Sequence, residues 1–330
     1  MPTTSPGQGH LPDDLSSDHL DLLALCALRT DNTSVDWNLI ARTCQSPVGV
    51  QALLAGDIPE DSAVARKSLL VLRAALPDLH DARGRVELEL KAAAAADARL
   101  VTVLDAAYPA NLRLVPNLPP FLFYRGHLAA EDARSVAVVG TRGATEDGLR
   151  RAARMARELV QHDVAVYSGL AKGIDTAAHT ATLEAGGRTV AVMGTGIAAK
   201  VYPAENRPLA EDIVQSGGAL LSQFWPTSHP ATWTFPRRNV VTSGSTMGSI
   251  VIEASSTSGA KMQARIAAEH GKQVFLIRSL ATKETWAAKM IADGRAVEVT
   301  ELDDILRRLA TAQRAQRTGQ QRLQLALAGL

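Results

Sequence analysis

From Ser135 onward the chain repeats one pattern that leaves few folds open to it: a short apolar run, a glycine turn, then an amphipathic stretch of helical length. The apolar runs are 136–139, 164–167, 189–193, 219–222, 248–252 and 273–277, with helices expected at about 146–162 and 258–270. Strands this short and this uniformly apolar are covered on both faces, as in a parallel sheet whose crossovers are helices. The expected fold class is α/β: a Rossmann-like doubly wound, mostly parallel sheet. Ligands of such sheets collect at the carboxyl ends of the strands, where glycine turns lead into helix N-termini with free N–H groups and a positive dipole end.

The region before this repeat reads differently. Residues 1–18 are rich in Pro, Ser, Gly and Asp and are expected to be flexible, with Ser16 or Ser17 capping the first helix. Residues 19–98 show helical spacing and Ala-rich segments, which predicts a small all-α domain. The tract Y-P-A-N-L-R-L-V-P-N-L-P-P-F-L-F-Y-R-G at 108–126 is broken by four prolines and is expected to wrap onto the sheet domain, taken as residues 99–300. Residues 301–330 are expected to form a basic C-terminal helix or tail. The first ten residues lack the features of a signal peptide, and no run of eighteen apolar residues occurs, so the expectation is a cytoplasmic protein without a membrane partner. Cys26 and Cys44 stand in no metal or redox motif and are expected as buried thiols.

The chemistry concentrates at the glycine turns. Gly140-Thr141-Arg142-Gly143, Ser168 to Asp175 (S-G-L-A-K-G-I-D) and Gly194-Thr195-Gly196 follow successive strands. Gly169 and Gly173 let backbone approach an anion, Ser168 offers a hydroxyl, and Lys172 and Arg142 add charge, so a phosphate is the natural occupant. The turn at 194–196 has Gln215 about twenty positions on, where a dinucleotide fold carries an acid, so no cofactor is expected. Asp175 and His179 share a helix face and are read as a capping and packing pair, since no nucleophile or metal-ligand cluster accompanies them. Phe235-Pro236-Arg237-Arg238-Asn239 reads as a stiffened loop offering two guanidinium forks, with Trp225, Trp233 and Phe235 able to stack on bases. The net charge of +1 does not by itself indicate a polyanion partner, so the local distribution decides.

Gly140-Thr141-Arg142, S-G-L-A-K-G-I-D-T-A-A-H, A-V-M-G-T-G-I-A-A-K-V-Y-P, F-P-R-R-N-V-V-T-S-G and V-I-E-A with Ser258-Gly259 resemble, in order and spacing, the signatures of the DNA processing protein A (DprA/Smf) family. The resemblance implies a homodimeric, non-catalytic protein that binds single-stranded DNA by its phosphates and helps load a RecA-type recombinase, as in recombination and natural transformation or a defence-related role. It places the binding residues at Arg142, Ser168, Gly169, Lys172, Gly173, Arg237, Arg238 and Asn239, and the departure S-G-A-K-M-Q-A-R adds Lys261 and sets Gln263 where the family has threonine. It also suggests that the helical N-terminus is a sterile-alpha-motif-like domain; as a further departure from the family, no winged-helix domain is expected in the residues after 300. The competing reading is a Rossmann-like nucleotide enzyme of the phosphoribohydrolase kind, with Glu253 as its nearest acid.

Overall fold

The computed structural model describes residues 9–30 and 33–309. Five helices open the chain: α1 (Ser17–Ala27), α2 (Trp37–Thr43), α3 (Gly49–Leu54), α4 (Ala63–Ala75) and α5 (Leu79–Ala95), with the hairpin β1 (Arg29–Thr30) and β2 (Thr33–Ser34) after α1. Side chains cap them where the sequence places short polar residues. Ser16 and His19 bond reciprocally across the first turn of α1, while Asp36 and Ser62 accept from the third helical N–H of α2 and α4.

The sheet begins with β3 (Arg99–Thr102) and β4 (Phe121–Gly126) and continues through β5 (Ser135–Val139), α6 (Glu146–Val160), β6 (Ala165–Ser168), α7 (Ile174–Glu184) and β7 (Thr189–Val192). Then come α8 (Arg207–Gln215), β8 (Ala219–Ser222), α9 (Thr234–Ser245), β9 (Gly248–Val251), α10 (Gly259–Glu269), β10 (Gln273–Ile277), α11 (Arg278–Lys283), α12 (Thr285–Ala292) and β11 (Val297–Val299). Its nine strands run in the order β11-β10-β9-β5-β6-β7-β8-β4-β3, parallel from β11 to β8 and antiparallel at β4 and β3. This is the doubly wound α/β architecture, and all six expected apolar strands form within a residue or two of their predicted limits. β4 was not predicted: it follows Pro119-Pro120 and lines the flank of β8, pairing Phe123 with Ser222. A strand buried on a flank by an antiparallel neighbour has no signature separate from the tract around it.

The two faces of the sheet bury different sets of side chains. In β5, Val136 and Val138 point to a core shared with Ala152 and Met155 of α6 and Ile174 and Ala178 of α7, while Ala137 and Val139 join the opposite core. Residues 302–309 are helical, and Leu302, Ile305 and Leu309 pack into the α6 side. The start of the expected basic tail is thus part of the sheet domain, because its apolar residues recur at helical spacing; residues 310–330 lie outside the described residues.

The segment expected to be flexible is ordered from residue 9 on, and residues 1–8 lie outside the described residues. His10 exchanges backbone hydrogen bonds with Leu100 at 2.8 and 2.9 Å, and Gly9 N–H donates to the Tyr124 hydroxyl at 2.8 Å. The physical reason is the open flank of β3, whose backbone groups need partners. The helical N-terminal region is also continuous with the sheet rather than separate from it. Trp37 of α2 sits 5.0 Å from Phe121 and 5.8 Å from Trp225, centroid to centroid, and Glu89 of α5 accepts from Thr227 N–H and hydroxyl at 2.9 and 2.7 Å. Trp225 is therefore a packing residue and not a base-stacking platform. Cys26 and Cys44 are buried free thiols; burial pushes Cys26 up and Cys44 to about 12.

Because Phe121 joins both regions and is fully buried, Phe121→Ala is expected to cost about 3–5 kcal/mol. Urea unfolding followed by far- and near-ultraviolet circular dichroism checks this. A single coincident transition is expected, since the helices and the sheet share one core.

Candidate functional site

β5 has β6 on one side and β9 on the other, and the chain winds away from it in opposite directions, which makes the carboxyl ends of β5 and β9 the switch point of the sheet. A cleft of about 420 Å³ opens there. Gly140, Thr141 and Arg142 line it after β5, Gly169 and Ala171 after β6, and Ser255, Thr257, Ser258 and Gly259 after β9, with Phe235, Arg238 and Asn239 from α9 and Met262 and Gln263 from α10 as further wall. The N-terminal turn of α10, capped by Ser258, faces the same space and brings its positive dipole end to it.

Phe235-Pro236-Arg237-Arg238-Asn239 is not a loop but the first turns of α9. Pro236 is the third helical residue, where an N–H would have no intrahelical acceptor, so the ring costs nothing there. A helix sends adjacent side chains about 100° apart, and the two arginines diverge. Arg237 is exposed over the Trp233 ring at 5.6 Å, outside the cleft lining. Arg238 turns inward: its guanidinium donates to the Val192 carbonyl at 3.1 Å, and its buried Nε has no partner among the described residues. It lies directly over Gly169, where a Cβ would fall 1.4 Å from Arg238 Nη1. Gly169 is thus a glycine because a guanidinium occupies the place of its side chain.

Asp175 holds the same turn from below. One carboxylate oxygen accepts from Gly169 N–H at 3.1 Å and Ala171 N–H at 3.4 Å. Burial pushes the Asp175 carboxyl up, with Arg238 acting against that shift; burial pushes Arg238 down, opposed by Asp175 and reinforced by Arg142. Arg142, exposed above the Phe235 ring at 5.4 Å, completes a cluster of two guanidinium groups against one carboxylate. That local excess of positive charge is what a bound anion would neutralise.

The remaining predicted residues fall on either side of this boundary. Gly173, at φ 79°, lets the α7 turn sit against the β5 turn: a Cβ there would be 2.5 Å from the Thr141 carbonyl oxygen. Asn239 lines the cleft, while Ser168 is fully buried and donates to the Val138 carbonyl at 2.6 Å, tying strands together instead of meeting a ligand. Lys172 is exposed and pairs with Glu205 at 2.6 Å, outside the cleft lining. Lys261 is likewise outside it, with Nζ 6.0 Å from the Trp286 ring centroid. The turn at 194–196 is filled by protein, since Cβ atoms at Gly194 and Gly196 would strike the Phe235 ring and the Trp225 carbonyl. Two of the three glycine turns therefore open to the cleft. His179 bonds Thr189 Oγ1 at 2.7 Å rather than Asp175, so the pair does not act together.

Gln263 was legible only as a departure from the family pattern. It lines the cleft with its amide nitrogen 3.2 Å from Ser249 Oγ and its buried Oε1 without a partner among the described residues. Of the wall after β9, Ser258 and Gly259 stand in the family signature, whereas Ser255 and Thr257 carry only the capping signal of hydroxyl residues before a helix.

The family model for DNA recombination-mediator protein A matches residues 99–310, and the chain belongs to that family. DNA processing protein DprA of Streptococcus pneumoniae is 39% identical over 53% of this chain and 61% of its own length. Protein Smf of Escherichia coli is 33% identical over 76% of this chain and 67% of its own. The chain thus spans only about three fifths to two thirds of these relatives. Among solved structures, the S. pneumoniae DprA structure superposes with a TM-score of 0.67 at 28% identity, covering 88% of this chain and 97% of that one. A structure of DNA processing protein A from Helicobacter pylori, described as giving insight into its single-stranded DNA binding mode, superposes with a TM-score of 0.57 at 22% identity, covering 65% of this chain and 96% of that one; at that identity it supports the fold.

Burial pushes His179 down to about 3, against 6.5 for an ordinary histidine. The unfolded chain therefore binds a proton there between pH 6.5 and 3 that the native state refuses, and stability falls as the pH is lowered through that window, at up to about 1.4 kcal/mol per pH unit. Asp175, shifted up, acts in the opposite sense at the acid end. Urea midpoints measured across this range are expected to show a shallower acid decline in His179→Gln than in the parent.

Proposed function

We propose that the cleft holds consecutive phosphates of single-stranded DNA and that the protein acts by binding, as a recombination mediator, without transforming its ligand. The observation that carries this reading is the Arg238 guanidinium: half-buried in the cleft wall, with a buried Nε that has no partner among the described residues, beside Arg142 and the N-terminus of α10. A polyanion supplies the acceptors that this cluster lacks. Phe235 beneath Arg142 and the exposed Trp233 beside Arg237 add aromatic faces of the kind on which unpaired bases stack. Family membership and the single-strand binding described for the H. pylori protein point the same way.

What supports binding over the enzymatic alternative is that its nearest acid, Glu253, is not among the residues lining the cleft. Glu253 accepts from Thr145 N–H and hydroxyl at 3.0 and 3.1 Å, which ties down the start of α6. Asp175 is committed to the Gly169 turn and His179 to Thr189. Homodimerisation, cytoplasmic location and loading of a RecA-type recombinase belong to the same proposal, supported by family membership. Among the described residues no helix is long and apolar enough to cross a membrane.

Fluorescence-anisotropy titration with single-stranded and duplex oligonucleotides tests the reading. Preference for the single strand and a steep loss of affinity with salt are expected, since phosphate contacts release counterions. Arg238→Ala is expected to weaken binding by about tenfold or more, and Lys172→Ala by less, because Glu205 already pairs with that amine. Equal affinity for duplex, or an Arg238→Ala variant that binds like the parent, would count against the cleft.

A further inference from the structure

Beside the cleft lies a second groove, of about 470 Å³. Its floor is apolar, formed by Met262 of α10 and by the small exposed parts of Trp286 and Met290 of α12, both of which are largely buried. Its rim is basic: Lys261 and Arg265 project from α10, Lys289 from α12, and Arg295 from the turn after it, with Asp293 the one carboxylate that lines it. Thr257, Ser258 and Met262 line both spaces, so the groove continues the cleft past the first turn of α10.

The charges on this rim are only partly spent within the protein. Lys289 pairs with Asp293 at 3.2 Å and Arg265 with Glu269 at 3.8 Å. Lys261 and Arg295 have no ion pair among the described residues, and Lys261 instead stands over the Trp286 ring. Trp286 itself keeps a buried indole N–H with no acceptor among the described residues. Cations spaced around a sulfur-and-aromatic floor match a ligand that alternates phosphates with flat apolar rings. An acidic peptide would meet the cations but leave the floor without ring partners.

We propose that this groove is a second subsite for the same DNA strand. It takes the nucleotides that follow those held in the cleft, with phosphates on Lys261 and Arg295 and bases against Trp286 and the methionines. This rests on the reading of the cleft as a single-strand site. Lys261 is also one of the positions at which S-G-A-K-M-Q-A-R departs from the family pattern it resembles.

The test compares thymidine oligonucleotides of about four and about twelve nucleotides, lengths that span the range of single-strand site sizes. Binding is measured to the full chain, to Lys261→Ala/Arg295→Ala and to Arg238→Ala. The double variant is expected to bind the short oligonucleotide like the parent and the long one about tenfold more weakly. Its salt slope on the long one is expected to fall by about 1.4, the release expected for two phosphate contacts on a single strand. Arg238→Ala is expected to weaken both lengths. Lys289→Glu, an exposed position, is expected to reproduce the length-selective loss, and urea midpoints establish that each variant is folded. If the double variant and Lys289→Glu keep parental affinity and slope on the long strand while Arg238→Ala loses both lengths, the groove proposal is overturned and the cleft stands. If the parent binds neither length, both readings fall.

Discussion

The half-buried guanidinium of Arg238, lying on Gly169 and opposed by Asp175, is the contact on which the site depends. It joins three separate parts of the sheet: α9, the turn after β6 and the carbonyl end of β7. An arginine there is costly unless its donors are satisfied, and one carbonyl and one nearby carboxylate leave it short of acceptors. A Cβ on the glycine beneath it would displace the guanidinium, and the aspartate that accepts from that glycine's N–H is itself desolvated. The arrangement is a standing demand for an anion.

The rest of the fold serves to keep that rim rigid. The parallel strands are anchored on both faces, by α6, α7 and residues 302–309 on one side and by α9 and α10 on the other. The flank beyond β8 is closed by the antiparallel pair β4 and β3, and β3 in turn by His10. The N-terminal helices complete this flank through Trp37, Phe121 and Trp225, so they buttress the sheet and share its core. A ligand site at a switch point needs this support, because its groups come from loops whose positions are only as precise as the strands beneath them.

Charge is used locally in this molecule. The chain as a whole carries a net charge of only +1, and many surface arginines are spent on neighbouring carboxylates, as Arg150 is on Glu146 and Asp147. Arg142 and, in the adjoining groove, Lys261 and Arg295 belong to the cations without an ion pair among the described residues, and with Arg238 they lie along one edge of the sheet. Concentrating potential in a few unneutralised side chains favours a polyanion without making the whole surface adhesive to it.

The order of strands and helices was readable because period and glycine placement are local properties of the chain, so the sheet's class and the turns at Gly140 and Gly169 could be named from residues alone. Flanking strand β4 and the docking of residues 9–16 were not, since what stabilises them is a partner distant in sequence. The same division runs through the site. The family motifs picked out Arg142, Gly169, Gly173, Arg238 and Asn239, all of which the fold gathers at one rim, yet Ser168, Lys172, Arg237 and Lys261 were equally good candidates by composition. Only the tertiary structure could separate them. Which way a side chain faces, and whether a carboxylate such as Glu205 waits beside it, depends on helix phase and on strands that meet far apart along the chain.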